Sequence, residues 1–559
     1  MLLKIIVSTN FKTRFVAKCV LCRCLTTTGY PPDSFQFRIL NYFENSLASR
    51  KSIQNQEIST QVKYALPENF KIKQQFDQLL QDIDSLSKLT DKQIKEKILG
   101  EIDPKWSPMV QSLPHMNIFN LLIDILKTSP HIQSSFVSTQ LYKNSLDTLM
   151  NAVESDLLDH SELVQLLFFI SLQNDESSSY INYLKSFLPD LNELDLMDKC
   201  IISQAFYRCS KKLSSSQSRI LEKIIEEKSD DLIKDPLLLV CLCKIIRISG
   251  PSDKLNLKNL SSAILNLDRP LTFTTSCHIL SLYAQALMHE PQVTEKLIDN
   301  AVEELKLDAF QHRLRIKDFD RFLWSISYLG VNLNENKKIL LRTYLKQRSL
   351  EYKRKENLGL YVNSTLCLHL LGSWSKNLLI KSFDKDLFKP IFEEKFHWKV
   401  RSRFQLLITQ IQIELGLDVP EEIRQRIKIE FTPSEELLKI KDIGKELTKK
   451  GLIRRVAIEC PINTLNIPGL TFTTKNSVYH ADILNNSTCL RNTNIPHGLM
   501  QLKIRLMKKI GKYKHFYITA DDISQGSDRI QTVIEENIFN NLKDNESTDF
   551  NETEKVFIS

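Results

Sequence analysis

Glycine is scarce in this chain. There are 13 among 559 residues, about a third of ordinary usage. That argues against a barrel, a β-rich fold or a glycine-rich nucleotide site over most of the length. No segment reaches the roughly 18 consecutive apolar residues that a membrane helix needs. The best candidates, 163–172 and 236–246, are interrupted by Gln165 and Lys244 and read as buried core helices. Phosphoryl-transfer motifs are missing too: there is no G-x-x-x-x-G-K-[ST], no H-R-D and no D-F-G, which removes a kinase reading. The cysteines lack paired C-x-x-C spacing apart from Cys19, Cys22 and Cys24 near the start, so no structural zinc site is expected. Cys200, Cys209, Cys241, Cys243, Cys277, Cys367, Cys460 and Cys489 read as small buried hydrophobes of a reducing compartment. No resident metal or cofactor is expected.

Acids are absent from residues 1–32, which carry Lys4, Lys12, Arg14, Lys18 and Arg23 among hydroxyl and apolar residues. This is the composition of a mitochondrial transit peptide, a cationic amphipathic segment drawn across a membrane with a negative interior. The other concentration of positive charge lies between Lys439 and Lys514, where 15 Lys and Arg face four acids. The whole chain carries only +8, so a basic C-terminal module stands on a mildly acidic body. Nucleic acid is the expected anion, with a solvated basic face as the bland alternative.

What is present otherwise is ordinary folded composition, 42% hydrophobic and 25% charged. The length suits three to five domains or one long array. Residues 33–115 are polar and mixed, with a short helix expected over 70–86. From 116 to 436, apolar residues recur three and four apart in segment after segment. Helices are expected over 117–127, 162–172, 198–209, 216–228, 235–247, 276–288, 293–305, 319–329 and 337–347. In the eighth of these, Phe319, Phe322, Leu323, Ile326 and Leu329 form one stripe. Short polar connections between such helices suggest a degenerate α-solenoid-like array, with a compact all-α domain as the alternative. In 437–535 the pattern becomes α/β. Strands are expected over 452–460, 470–474, 477–483 and 515–519, with a helix over 498–510 between the last two. The end, 536–559, is an acidic tail.

The segment Ile495–Ile518, IPHGLMQLKIRLMKKIGKYKHFYI, resembles the closing motif of RAP domains. Gly498 opens the helix, Leu502, Lys503, Arg505 and Leu506 form its core, and Gly511 with Tyr513 makes the turn before a hydrophobic strand. Arg455–Glu459, RVAIE, resembles the strand that precedes it in that family, and Phe319–Leu333 is similar to the helical FAST region from about residue 270. Taken together these resemble the FAST kinase-like (FASTKD) family of mitochondrial RNA-binding proteins. The resemblance implies a mainly α chain, a helical-repeat array followed by a small α/β RAP-like domain of restriction-endonuclease-like fold. It implies work in the mitochondrial matrix on mitochondrial RNA: processing, stability, translation or mitoribosome assembly. The mitochondrial ribosome and RNA-granule proteins are the expected protein partners.

Two chemistries compete in the module. RNA binding calls on Lys503, Arg505, Lys508, Lys509 and Lys512, with Arg505, Lys508 and Lys509 sharing one helix face and Leu499, Leu502, Leu506 and Ile510 the other. Tyr513, His515 and Phe516 stack unpaired bases or fill the strand's core. Lys449, Lys450, Arg454 and Arg455 extend the patch. A smaller basic run, His312, Arg313, Arg315, Lys317 and Arg321, lies in the array. A metal-dependent RNA-processing endonuclease would instead use Glu459, Asp482 and Lys503 around Mg²⁺. Against it, Cys460, Pro461 and Ile462 follow Glu459 where the family pattern has Asp-Gly-Pro, and His480 beside Asp482 reads as a surface pair. A helical scaffold for protein partners is the third alternative.

Overall fold

The computed structural model describes residues 34–54, 66, 71–128, 132–173, 178–308, 313–352, 357–373, 378, 391, 398–418 and 431–540. Residues 1–32, His312 and the acidic residues 541–559 lie outside them. The chain divides into two compact units, Met1–Gly250 and Pro251–Ser559.

The first unit is helical throughout its described residues. Its longer helices are α1 Phe35–Gln54, α2 Lys73–Asp84, α3 His115–Thr128, α4 Gln140–Glu154, α5 His160–Leu172, α6 Leu196–Arg208, α7 Ser215–Glu227 and α8 Pro236–Ser249. Side-chain caps set where several begin. Thr139, Asp159, Asp195, Ser214 and Asp235 each accept a backbone N–H from the first turn that follows. α5 packs on α6, and α6 packs on α8. In α5, eleven of 13 residues are buried, so this helix is covered on nearly every side.

The second unit continues with α9 Lys258–Leu265, α10 Phe273–Gln285, α11 Pro291–Asp308, α12 Ile316–Tyr328, α13 Glu335–Gln347, α14 Leu358–Leu370 and α15 Trp398–Leu415. One row runs α10, α12, α14, α15, each packed on the next. A second row, α9, α11 and α13, lies over it. The stripe of α12 is buried as its spacing requires, with Phe319, Phe322, Leu323 and Ile326 at 0% exposure. The helix expected over 276–288 starts earlier, at Phe273, because Thr272 caps the N–H of Thr275. No helix among the described residues is long and apolar enough to cross a membrane.

The C-terminal module is α16 Glu435–Lys449, β1 Arg455–Glu459, β2 Gly469–Thr473, β3 Val478–Leu484, α17 Gly498–Ile510, β4 Lys514–Thr519 and α18 Ser527–Glu535. The strands form one mixed sheet in the order β1-β2-β3-β4. β1/β2 and β2/β3 are antiparallel, and β3/β4 is parallel with α17 as the crossover. Alternation splits the strands between two faces. Leu470, Phe472, Tyr479, Ala481, Ile483, Phe516 and Ile518 form a core with Leu437 and Ile440 of α16 and Ile530, Val533 and Ile534 of α18. The opposite face presents Thr471, His480, Asp482 and His515 towards α17. So the chain is mainly helical, with a small four-stranded sheet near its C-terminus.

Helix α17 is covered twice. Leu502, Leu506 and Met507 pack with Leu366 of α14 and Leu406, Leu407 and Ile411 of α15. Its first residue lies against the end of α12. A Cβ on Gly498 would stand 1.8 Å from the Ser327 carbonyl oxygen, so only glycine permits this approach. His497 caps the helix by accepting the Met500 N–H and stacks on Tyr328 with ring centroids 5.1 Å apart.

Candidate nucleic-acid interface

Strand directions gather the basic residues. Because β1, β3 and β4 run the same way, Arg455, Val478 and Lys514 begin their strands at one end of the sheet. The connections α16–β1, β2–β3 and α17–β4 all lie there. They bring Lys449, Lys450, Arg454, Arg455, Lys475, Lys508, Lys509, Lys512 and Lys514 to that end, and all nine are exposed. Lys449 pairs with Glu446 at 2.6 Å and Arg455 with Glu459 at 3.3 Å. The other seven form no contact ion pair among the described residues, and of them Lys509 acts at longer range on Glu414. Lys512 lies over the Tyr513 ring at 5.1 Å and Lys514 over Tyr479 at 5.5 Å. Such a concentration of unpaired cations attracts a polyanion and suits phosphates spaced along a strand.

Two residues expected in this patch are withdrawn from it. Lys503 is 1% exposed and ion-pairs with Asp482, with His480 Nε2 at 3.1 Å. Arg505 turns towards α14 and α15, donating to Glu414 at 2.5 Å and to the His369 carbonyl at 3.1 Å. The shared face of Arg505, Lys508 and Lys509 is therefore reduced to the two lysines. Ile510, expected to point inwards, is 37% exposed. Tyr513 is half-buried against the α14–α15–α17 core and meets the His480 ring edge-on at 5.9 Å. Phe516 fills the sheet core at 6% exposure. In the array's basic run, Arg315 and Arg321 both pair with Asp318, while Arg313 and Lys317 are exposed.

The nuclease set is only partly assembled. Asp482 and Lys503 are in contact, but Glu459 stands one strand away across Gly469 and pairs with Arg455. The Asp482 carboxylate is fully engaged: Lys503 and His480 flank Oδ1, and His515 Nε2 donates to Oδ2 at 2.8 Å. Both oxygens thus already have a partner inside the core, and no three described acids, histidines or cysteines are grouped to hold a metal ion. His480 and Asp482 are both 0% exposed, so they form a core cluster and not a surface pair. The cluster needs Gly469, where a Cβ would come 2.5 Å from His480 Nε2 and 2.7 Å from Asp482 Oδ1. Seven of the eight described cysteines are buried, and Cys460 is half-buried with its thiol pushed up by burial.

Protonation follows burial here. Burial alone would raise the Asp482 carboxyl, but hydrogen bonds from His480 and His515 and the Lys503 ammonium hold it well below the usual range. Burial holds His289, His369, His480 and His497 below 6.5, His369 down to about 3. A histidine of this kind is neutral folded and charged unfolded, so unfolding takes up a proton and stability falls as pH drops below 6.5. Asp482 adds a second loss only below about 4, where the unfolded carboxyl protonates. We expect hydrogen exchange at Leu502 and Ile518, corrected for intrinsic rate, to show less protection at pH 5 than at pH 7. Equal protection at both would contradict buried neutral histidines.

Sequence reasoning missed Lys475, because its place beside Arg455 depends on strand order. It placed Lys503 with Asp482 around a metal, and missed that the two form a buried ion pair with His515 on the other oxygen. A signal existed: Lys503 lies one turn after Met500, which packs beside Leu484 of β3. No family model matches the chain, and no curated protein matches it.

Proposed function

We propose that this chain is a non-catalytic RNA-binding protein of the mitochondrial matrix, of the FASTKD kind, acting on mitochondrial RNA after transcription. In this reading α3 to α15 are a degenerate helical-repeat array and α16 to α18 with the sheet are a RAP-like, restriction-endonuclease-like module. The acid-free, basic residues 1–32 supply the address. The observation that carries the reading is the gathering of nine exposed basic side chains at one end of the module's sheet. The partner classes are mitochondrial transcripts and the RNA of the mitochondrial ribosome.

The test is salt dependence. Each phosphate neutralised on a single strand contributes about 0.7 to the slope of log K against log salt. Reversing Lys508 and Lys509 together to Glu should weaken binding to single-stranded RNA and flatten that slope by at least about 1.4. Both are exposed, so the fold should be unaffected. Binding that ignores salt, or a double reversal with an unchanged slope, would sink the reading. Salt-insensitive, ribonuclease-resistant association with a protein would favour the scaffold instead.

A further inference from the structure

Helix α12 carries a second feature on its outward face. Lys317, Arg321, Trp324 and Tyr328 are spaced four, three and four apart, which places them in one row along the helix. The Trp324 and Tyr328 rings are stacked, centroids 5.2 Å apart and planes 14° from parallel. Tyr328 is stacked in turn on His497, 5.1 Å and 17°. The three rings form a column whose inner end is anchored: His497 is 3% exposed and bonded at both ring nitrogens, to the Met500 N–H and the Ser487 carbonyl. Trp324, at the outer end, is half-buried. Among the described residues no ring or cation covers its other face, and neither the indole N–H nor the Tyr328 hydroxyl has a hydrogen-bond partner. One turn away stands Arg321, 18% exposed, and one turn beyond it the exposed Lys317.

A half-buried aromatic ring at the end of an anchored column, with the exposed Lys317 two turns away in the same row, suits an unstacked base and its phosphate. The apolar stripe of α12 lies on Phe319, Phe322, Leu323 and Ile326, so the ring row is a separate face of the helix.

We propose that Trp324 is a stacking platform for one unpaired base of single-stranded RNA, with the exposed Lys317 on an adjoining phosphate. This rests on the RNA-binding reading and adds a second contact site to it, separate from the basic end of the sheet.

The experiment uses the full chain and a fluorescein-labelled single-stranded oligouridylate. By anisotropy, Trp324→Ala should weaken binding about tenfold without changing the salt slope. Trp324→Phe, which keeps an aromatic face, should restore most of the affinity. Lys317→Glu, at an exposed position, should weaken binding and flatten the slope. Ultraviolet crosslinking should place the base on a peptide containing Trp324. Salt-steep binding that Trp324→Ala and Lys317→Glu both leave unchanged would overturn this proposal and leave the basic-end reading standing. No binding of any single-stranded RNA by the unaltered chain would overturn both. Crosslinks confined to the 449–455 and 508–514 peptides would also overturn it.

Discussion

Lys503→Met should cost the C-terminal module most of its stability. The substitution keeps length and removes only the ammonium, so packing changes little. It leaves Asp482, at 0% exposure, beside two histidines of which burial holds one neutral. Removing one partner of a buried pair typically costs about 3–5 kcal/mol, because the remaining charge stays desolvated. Both groups are almost fully buried, so solvent screening does not reduce the effect. That loss is a large share of the stability of an ordinary domain. The double variant Lys503→Met with Asp482→Asn should recover much of it, since no uncompensated charge remains. Urea unfolding followed by hydrogen exchange in β3 would read both. A single variant as stable as the unaltered chain would mean that Asp482 is not held by Lys503.

Gly498→Ala is the second large effect. The added Cβ would lie 1.8 Å from the Ser327 carbonyl oxygen and 2.9 Å from its carbon. The obstacle is backbone in the last turn of α12, so no side-chain rotation relieves it. Either α17 moves as a body or its first turn unwinds. Moving it disturbs Leu502 and Leu506 in the α14–α15 core and separates His497 from Tyr328. The expected cost is at least the roughly 3 kcal/mol upper end of overpacking. Limited proteolysis should become rapid between β3 and α17, and the Trp324 column should lose its anchor. Gly511→Ala is a useful contrast: open space surrounds that position, so only its positive φ of 67° opposes the change. Equal protease resistance in the unaltered chain and Gly498→Ala would contradict the close joint.

Much of the local structure was readable in the residues. The helix expected over 498–510 has those bounds, and all four strands lie within three residues of their expected starts. Those signals are local: a cap, a glycine after the last turn, alternation in Val478–Leu484. What was not readable was coverage. A helical wheel of α17 separates leucines from lysines, but it does not say that both the sheet and α14–α15 lie against the helix. Lys503 is buried against the sheet and Arg505 is tied to Glu414, which leaves Lys508 and Lys509, in the last turn, as the helix's fully exposed basic residues. The same limit hid the column on α12. Trp324 and Tyr328 are visible in the sequence, but His497 is 169 residues further on. Their meeting depends on one glycine at the joint. The cluster around Asp482 is the inverse case: the residue types suggested metal chemistry, and burial turned them into a paired core.

The most direct measurement of the central claim is ultraviolet crosslinking of the tagged protein in isolated mitochondria, with sequencing of the bound RNA and mapping of the crosslinked peptides. The account predicts discrete peaks on one or a few mitochondrial RNAs, with crosslinks in the 449–455 and 508–514 segments and at Trp324. Protein present in the matrix with no RNA above background would contradict it, and the basic end of the sheet would then have to be a surface for an acidic protein.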